Sequence, residues 1–339
     1  MKVYIHESSR LKGIYDRADE YSTDELSSLP ANSIKIIPVS TYCKQSREHI
    51  DYIKHTNEHI ILENCVEGSS TLLRHLDVDG LLKPALNKEL SIICSGEMPE
   101  QMNSLNIEYL MYLTGRSNED NKHLMIRTEE RPYTFQFLNN RVRSHRKKLI
   151  EDLARRDLLK DALWSNHSMG EKVEGHQLPN GYDDSGTNSA SLISWDKWKS
   201  GKIVVDQYTD SYFSVFAEST VLHRYAFITE KTWKPIIAGH GFLALASKNH
   251  YDRLHQLGFK TFDPIIDESF VALDEWKDRE PKIVNEVERL IALDSDQMVK
   301  DIQKTLDYNI KHFWNLWENY SEDTTKKIDE FVNLLDAQA

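Results

Sequence analysis

Short apolar runs separated by helix-length segments are the feature that most restricts how this chain can fold. KVYI (Lys2–Ile5), IKIIPV (Ile34–Val39), HIIL (His59–Leu62), LSIIC (Leu90–Cys94) and YLMYL (Tyr109–Leu113) each have the length of one strand. Between them, Lys44–Lys54 and Ser69–Leu76 have the character of helices. Strands alternating with helix-length segments predict βαβ units and a parallel sheet.

The pattern then repeats. Met125–Leu138 is rich in strand formers and leads into a helix expected over Val142–Leu163. Residues 166–188, crowded with Gly, Ser, Asn, Asp and His, read as a long loop near a domain junction. Beyond it, Lys202–Asp206 and Tyr212–Ala217 are expected as strands, Glu230–Ala238 as a helix, Phe242–Ala246 as a strand and His250–Leu257 as a helix. From Pro281 the chain is helical in character and ends in Leu306–Tyr320 and Thr324–Leu335. The expectation is α/β: two Rossmann-like doubly wound domains, 1–135 and 136–280, facing a cleft, with a helical segment 281–339 packing back on them. In such sheets ligands bind beyond the carboxyl ends of the strands.

Composition narrows the function classes. The 339 residues are 40% hydrophobic and 28% charged, as in ordinary soluble proteins, and no apolar run approaches the ~20 residues that span a bilayer. The start, MKVYIHESSR, lacks the apolar stretch of a secretory signal, so no membrane partner and a cytoplasmic location are expected. Cys43, Cys65 and Cys94 have no CxxC spacing and read as reduced, mostly buried thiols. A formal charge of −12 argues against broad binding to nucleic acid or anionic membrane.

Chemistry concentrates in YFSVFAESTVLHRYAFITEKTWKPIIAGHGFLALA (Tyr212–Ala246). A strand ends in Glu218, a turn follows, and Thr229-Glu230-Lys231 opens a helix ahead of another apolar strand. Thr229 suits the N-cap, and Glu230 suits the positive end of the helix dipole. Lys231 in the first turn opposes that dipole, a conflict that an anionic ligand would reverse. These residues by themselves also fit a plain capped helix with a solvated Glu–Lys pair.

With two further segments, this stretch resembles the α-1,3-fucosyltransferase-like glycosyltransferases of the GT-B fold, in particular their divergent branch in bacteriophages and large viruses. The residues that carry the likeness are Glu218, Thr229-Glu230-Lys231, Pro235 and Gly241-Phe242, with GFKTFDPIIDESF (Gly258–Phe270) similar to the phage-type branch. ICSGEMPEQMNSLNIEYLMY (Ile93–Tyr112) is similar to the family's acceptor-side strand and loop. FLNNRVRSHRKKLIEDL (Phe137–Leu153) is similar to its donor-side segment, in which an arginine follows an asparagine six residues on. The three blocks occur in family order over residues 90–270. Two departures, Ser219 where the family has asparagine and the Trp233-Lys234-Pro235 helix interior, bear on which nucleotide and sugar are used.

The resemblance implies a GT-B glycosyltransferase moving a sugar from a nucleoside diphosphate sugar to an acceptor hydroxyl with inversion, without a cofactor or required metal. It puts the general base on Glu97, with Glu67 as the fallback, and the diphosphate grip on Arg146. Lys231 would add a point charge, Glu218 and Glu230 would accept ribose hydroxyls, Thr229 would open the donor helix, and Tyr225 or Trp233 would border the base. The basic run from Arg141 to Lys160 is a solvated helix face with one donor arginine, or else a track for a polyanionic acceptor. Arg141, Arg143 and Lys147 are its candidate acceptor or phosphate contacts. The acceptor is thus a glycan or a hydroxymethylated base in phage DNA, in the latter case in the host cytoplasm. The reading from another class is a non-catalytic nucleotide- or sugar-binding module on the same fold.

Weaker candidates drop out. Asp77-Val78-Asp79 and Asp294-Ser295-Asp296 have the DxD form of a metal site but follow no strand end. His167, His176 and His240 are expected in solvated or capping roles, and Trp314 and Trp317 in the core of a tail helix.

Overall fold

The computed structural model describes residues 1–39, 46–56, 59–65, 69–122, 124, 130–139, 143–166, 201–222 and 224–338. Two compact units result, Met1–Leu110 with Glu318–Ala339, and Met111–Trp317.

The first unit is built on a six-stranded, wholly parallel sheet in the order β2-β1-β3-β4-β5-β6. Its strands are β1 (Lys2–His6), β2 (Asp19–Tyr21), β3 (Ser33–Pro38), β4 (His59–Asn64), β5 (Ser91–Cys94) and β6 (Asn103–Asn106). Strand β3 is buried along its whole length, including Ser33 and Lys35, whose ammonium donates to the Pro30 carbonyl at 3.2 Å. Edge strands β2 and β6 are shorter and more polar, and the apolar-run pattern misses both. Helices α1 (Ser46–His55), α2 (Ser69–Val78) and α3 (Leu82–Leu86) connect the strands, and Ile37, Leu62 and Ile92 are central to the core. Cys65 and Cys94 are free and buried; Cys43 lies outside the described residues.

The second unit carries a four-stranded parallel sheet in the order β10-β9-β7-β8. Its strands are β7 (Tyr133–Asn139), β8 (Ala162–Asn166), β9 (Ser211–Ala217) and β10 (Gly241–Leu245). Phe135 and Phe213 face each other across β7 and β9 with rings 5.6 Å apart, and Phe242 joins Phe216 and Phe262 behind β10. The helices are α4 (Tyr109–Ser117), which begins in the first unit, then α5 (Ser144–Arg155), α6 (Val205–Thr209), α7 (Glu230–Ala238), α8 (His250–Gln256), α9 (Trp276–Ile291) and α10 (Ser295–Glu318).

The helical tail is divided. Helix α10, with Met298, Ile302, Leu306 and Phe313 on its buried face, lies in the second unit up to Trp317. Trp314 is buried, and Trp317 gives its indole N–H to the Tyr112 carbonyl. Helix α11 (Tyr320–Gln338) belongs to the first unit, where Thr325 donates to the Ile14 carbonyl and Asp329 accepts from Tyr15. The expected boundary at 135 falls inside β7, all of which belongs to the second sheet.

Three elements differ from expectation. YLMYL is the start of α4, whose first N–H is received by the Ser95 hydroxyl. A five-residue apolar run fits strand and helix alike, so periodicity cannot choose. The helix expected over Val142–Leu163 stops at Arg155, because Asp157 adopts a left-handed conformation (φ 59°) and the chain turns into β8. Lys202–Asp206 forms no strand: the Asn118 amide brackets it, donating to the Gly201 carbonyl and accepting from Ile203 N–H, and α6 follows. No helix among the described residues is long and apolar enough to cross a membrane.

Candidate functional site

In the second sheet the chain leaves β7 toward β8 on one side and β9 toward β10 on the other. The carboxyl ends of β7 and β9 are therefore a topological switch point, the place where open parallel sheets form a ligand crevice. The start of α5 follows β7, and Glu218 follows β9.

Glu218 is 1% exposed and organises this edge. Its Oε1 accepts from Thr229 N–H (3.1 Å) and the Thr232 hydroxyl (2.9 Å). Its Oε2 accepts from the Thr229 hydroxyl (2.6 Å) and Ser219 N–H (3.2 Å). Four donors offset the desolvation of a buried carboxylate, which would otherwise cost several kcal/mol. The expected role in ribose recognition does not suit this geometry, since both oxygens are already engaged by the chain. Glu218 instead fixes the start of α7.

Thr229 caps α7 as its sequence predicts, its hydroxyl accepting from Lys231 N–H. Lys231 folds back over the cap, with Nζ 2.8 Å from Glu230 Oε1, 3.2 Å from Thr229 Oγ1 and 3.5 Å from Ser219 Oγ. Burial disfavours the Glu230 carboxylate, but Lys231 and Lys234 outweigh that and hold its pKa below the usual range. Glu230 therefore stays ionised among lysines.

The start of α5 reaches the same point from the other strand. His145 Nε2 donates to the Glu218 carbonyl (3.0 Å), and Arg146 Nη2 approaches the same oxygen (3.3 Å). Arg143 Nη1 donates to the Ser219 carbonyl (2.5 Å). A carbonyl only accepts, so His145 carries its proton on Nε2. Burial, with Arg146 and Arg143 adding to it and the Glu218 carbonyl opposing, pushes His145 down to about 4 and keeps it neutral. Helix α5 has no side-chain cap and no acid in its first turn, so its basic residues, like Lys231, sit at the unfavourable end of a dipole.

The structure thus brings Arg143, Arg146, Glu218, Thr229, Glu230 and Lys231 to one edge of one sheet. Lys147 stands apart, its side chain 52% exposed and 3.9 Å from Glu151. Arg141 lies outside the described residues, as do Glu67, His167 and His176. Trp233 is fully buried against Phe259 and Phe313 and belongs to the core, not to a surface that borders a base. Tyr225 is half-buried. His240 is also buried, donating from Nε2 to the Tyr208 carbonyl, and its pKa is pushed down to about 3 by burial and by Arg131.

The rest of the basic run is largely matched by acids. Lys148 pairs with Asp152 and Glu280, Arg155 with Asp152, Arg156 with Glu288 and Lys160 with Asp157.

Sequence reasoning passed over three residues here. His145 holds the two strand ends together. Thr232 and His250 continue the Glu218 network, with His250 Nε2 3.2 Å from Thr232 Oγ1. Thr232 lies one turn along from the cap and was legible by spacing; His250 carried no local signal.

Glu97 lies at the carboxyl edge of the first sheet. Gly96 before it has φ 98°, a conformation that favours glycine, and its N–H donates to Asn106 Oδ1. Ser95 donates to the Cys65 carbonyl, so the turn that presents half-buried Glu97 is tied to its neighbours on both sides. Among the described residues no three His, Cys, Asp or Glu side chains are grouped to hold a metal. No protein-family model matches the chain, and a search of curated proteins returns no match.

Proposed function

We propose that the protein is a glycosyltransferase that moves a sugar from a nucleoside diphosphate sugar to an acceptor hydroxyl. The observation that carries this reading is the convergence of Arg143, Arg146 and Lys231, from two helix starts, on the Glu218–Ser219 strand end at a sheet switch point. Cations and helix starts aimed at one place suit a group that gains negative charge as a bond breaks. A departing nucleoside diphosphate is such a group. Arg146 supplies a fork for phosphate oxygens, Lys231 a point charge, and Glu230 an ionised acceptor for a ribose hydroxyl.

In the same reading Glu97 takes the proton of the acceptor hydroxyl as its oxygen attacks the anomeric carbon. The bond to the diphosphate breaks with its electron pair leaving on the diphosphate, and the anomeric centre inverts. A GT-B arrangement of the two units is part of this proposal. The acid-matched remainder of α5 favours a glycan or small acceptor over a DNA track.

The first test is thermal stabilisation by a panel of nucleoside diphosphates. Wild type is expected to respond to at least one, and Arg146→Ala and Lys231→Ala each to lose the response. No response from wild type to any nucleotide removes the donor-site reading. Transfer assays from nucleotide sugars to simple glycans and to hydroxymethylated DNA then identify the acceptor.

A further inference from the structure

We infer that Lys234 is a second cation of the diphosphate site, acting with Lys231 across Glu230. The inference rests on the donor-site reading above and adds a ligand contact that the sequence pattern does not assign.

On α7, Lys234 follows Lys231 by three residues and Glu230 by four, so its side chain neighbours each of theirs at the helix start. Glu230 is already committed to Lys231 at 2.8 Å. Lys234 is half-buried and, among the described residues, has no hydrogen bond or ion pair of its own. A lysine withdrawn from water without a bonded partner is destabilised as a cation, and an arriving anion would compensate it. Glu230 supports its charge only in part, being already paired with Lys231. The strands beneath the helix, SYFSVFA of β9 and GFLAL of β10, carry no charged residue, and Tyr212 is the one titratable group on them. Helix α6, packed against α7, brings exposed Asp206 and buried Tyr208, whose hydroxyl is held protonated by burial and by Glu230.

Burial, reinforced by Lys231 and opposed by Glu230, pushes Lys234 down to about 8. Lys234 therefore loses charge as pH rises through that value, and its contribution to anion binding goes with it. The Glu230 carboxylate acts as the internal stand-in for the ligand, neutralising Lys231 until phosphate oxygens replace it.

The test uses the full chain and inorganic pyrophosphate, with binding measured by calorimetry between about pH 7 and about pH 9. Lys234→Gln is expected to weaken pyrophosphate about tenfold or more at the lower pH, and Lys234→Arg to retain it. Glu230→Gln, which removes the stand-in, is expected to bind pyrophosphate several-fold tighter. The wild-type affinity divided by that of Lys234→Arg is expected to fall about fivefold or more across the range, a ratio in which the titration of pyrophosphate itself cancels.

Wild-type affinity in Lys234→Gln, together with loss in Arg146→Ala and Lys231→Ala, overturns the role of Lys234 and leaves the donor site standing. Absence of pyrophosphate binding to wild type overturns both. Unfolding of the ligand-free variants is followed in parallel. If Lys234→Gln does not fold, the pH ratio against Lys234→Arg decides alone, and a flat ratio overturns the inference.

Discussion

The hydroxyl of Thr229 donates to Glu218 Oε2 at 2.6 Å, so the residue that caps α7 is itself held by the residue that ends β9. The cap and the strand end form one unit, onto which the start of α5 also bonds through His145 and Arg146. Cations that are to meet an anion need such fixed backing, because a mobile arginine or lysine spends part of its binding energy on being ordered.

Glu218→Gln is expected to destabilise the protein by about 2–3 kcal/mol, since an amide nitrogen would face donors that now meet a carboxylate. The loss is read from urea unfolding without any nucleotide. A residue whose only task was to contact ribose would leave that curve unchanged, and such a result would remove the organising role.

Glu97→Gln is expected to lower kcat by about 10²–10⁴-fold while leaving the KM for the donor and the melting temperature near wild type. Undiminished turnover rules out Glu97 as the base. Donor binding without turnover in wild type itself moves the reading to a binding module.

Stability is expected to fall on acidification below about pH 6.5. His240 and His250 are buried neutral, pushed down to about 3 and about 4. Unfolded, each has its ordinary pKa, so between the two values the unfolded chain binds more protons. The stability each contributes is complete above the unfolded pKa and is lost as pH falls toward the folded one. The loss from neutrality to about pH 5 is on the order of 2 kcal/mol per histidine. Urea midpoints across this range measure it, and His250→Asn should show a shallower slope; an unchanged slope contradicts the assignment.

Gly115→Ala is expected to destabilise, against the helix preference for alanine. A Cβ there would lie 2.2 Å from Trp317 Cδ1 and 2.5 Å from its Nε1. That indole is already fixed, donating to the Tyr112 carbonyl and lying under the Lys122 ammonium. Alanine gains about 0.5–1 kcal/mol in the helix, and overpacking costs about 1–3 kcal/mol, so a net loss of about 1 kcal/mol is expected from denaturant midpoints. Equal or greater stability of the variant contradicts the close approach.

The sequence by itself determined the elements whose causes are local. The central strands were legible because burial on both faces leaves predominantly apolar runs, unbroken as IIL in β4 and broken only by Lys35 in the β3 run and Ser214 in the β9 run. Helix α7 was legible to the residue, because Thr229 and Glu230 satisfy a helix start within one turn. Edge strand β6 and the run YLMYL were not, since a polar strand lacks the signal and a short apolar run fits two structures.

What only the tertiary structure decided is the division of labour at the site. Glu218 and Glu230 are both acids near a helix start, and nothing within a turn of either tells a hub from an ionised partner of lysines. Thr229, Thr232, His145 and Arg146 make that distinction, and the last two lie 73 and 72 residues away in sequence. Hydrogen bonds between such distant groups exist only once β7 and β9 are paired, so the cause of each role lies in the sheet, not in the neighbouring residues.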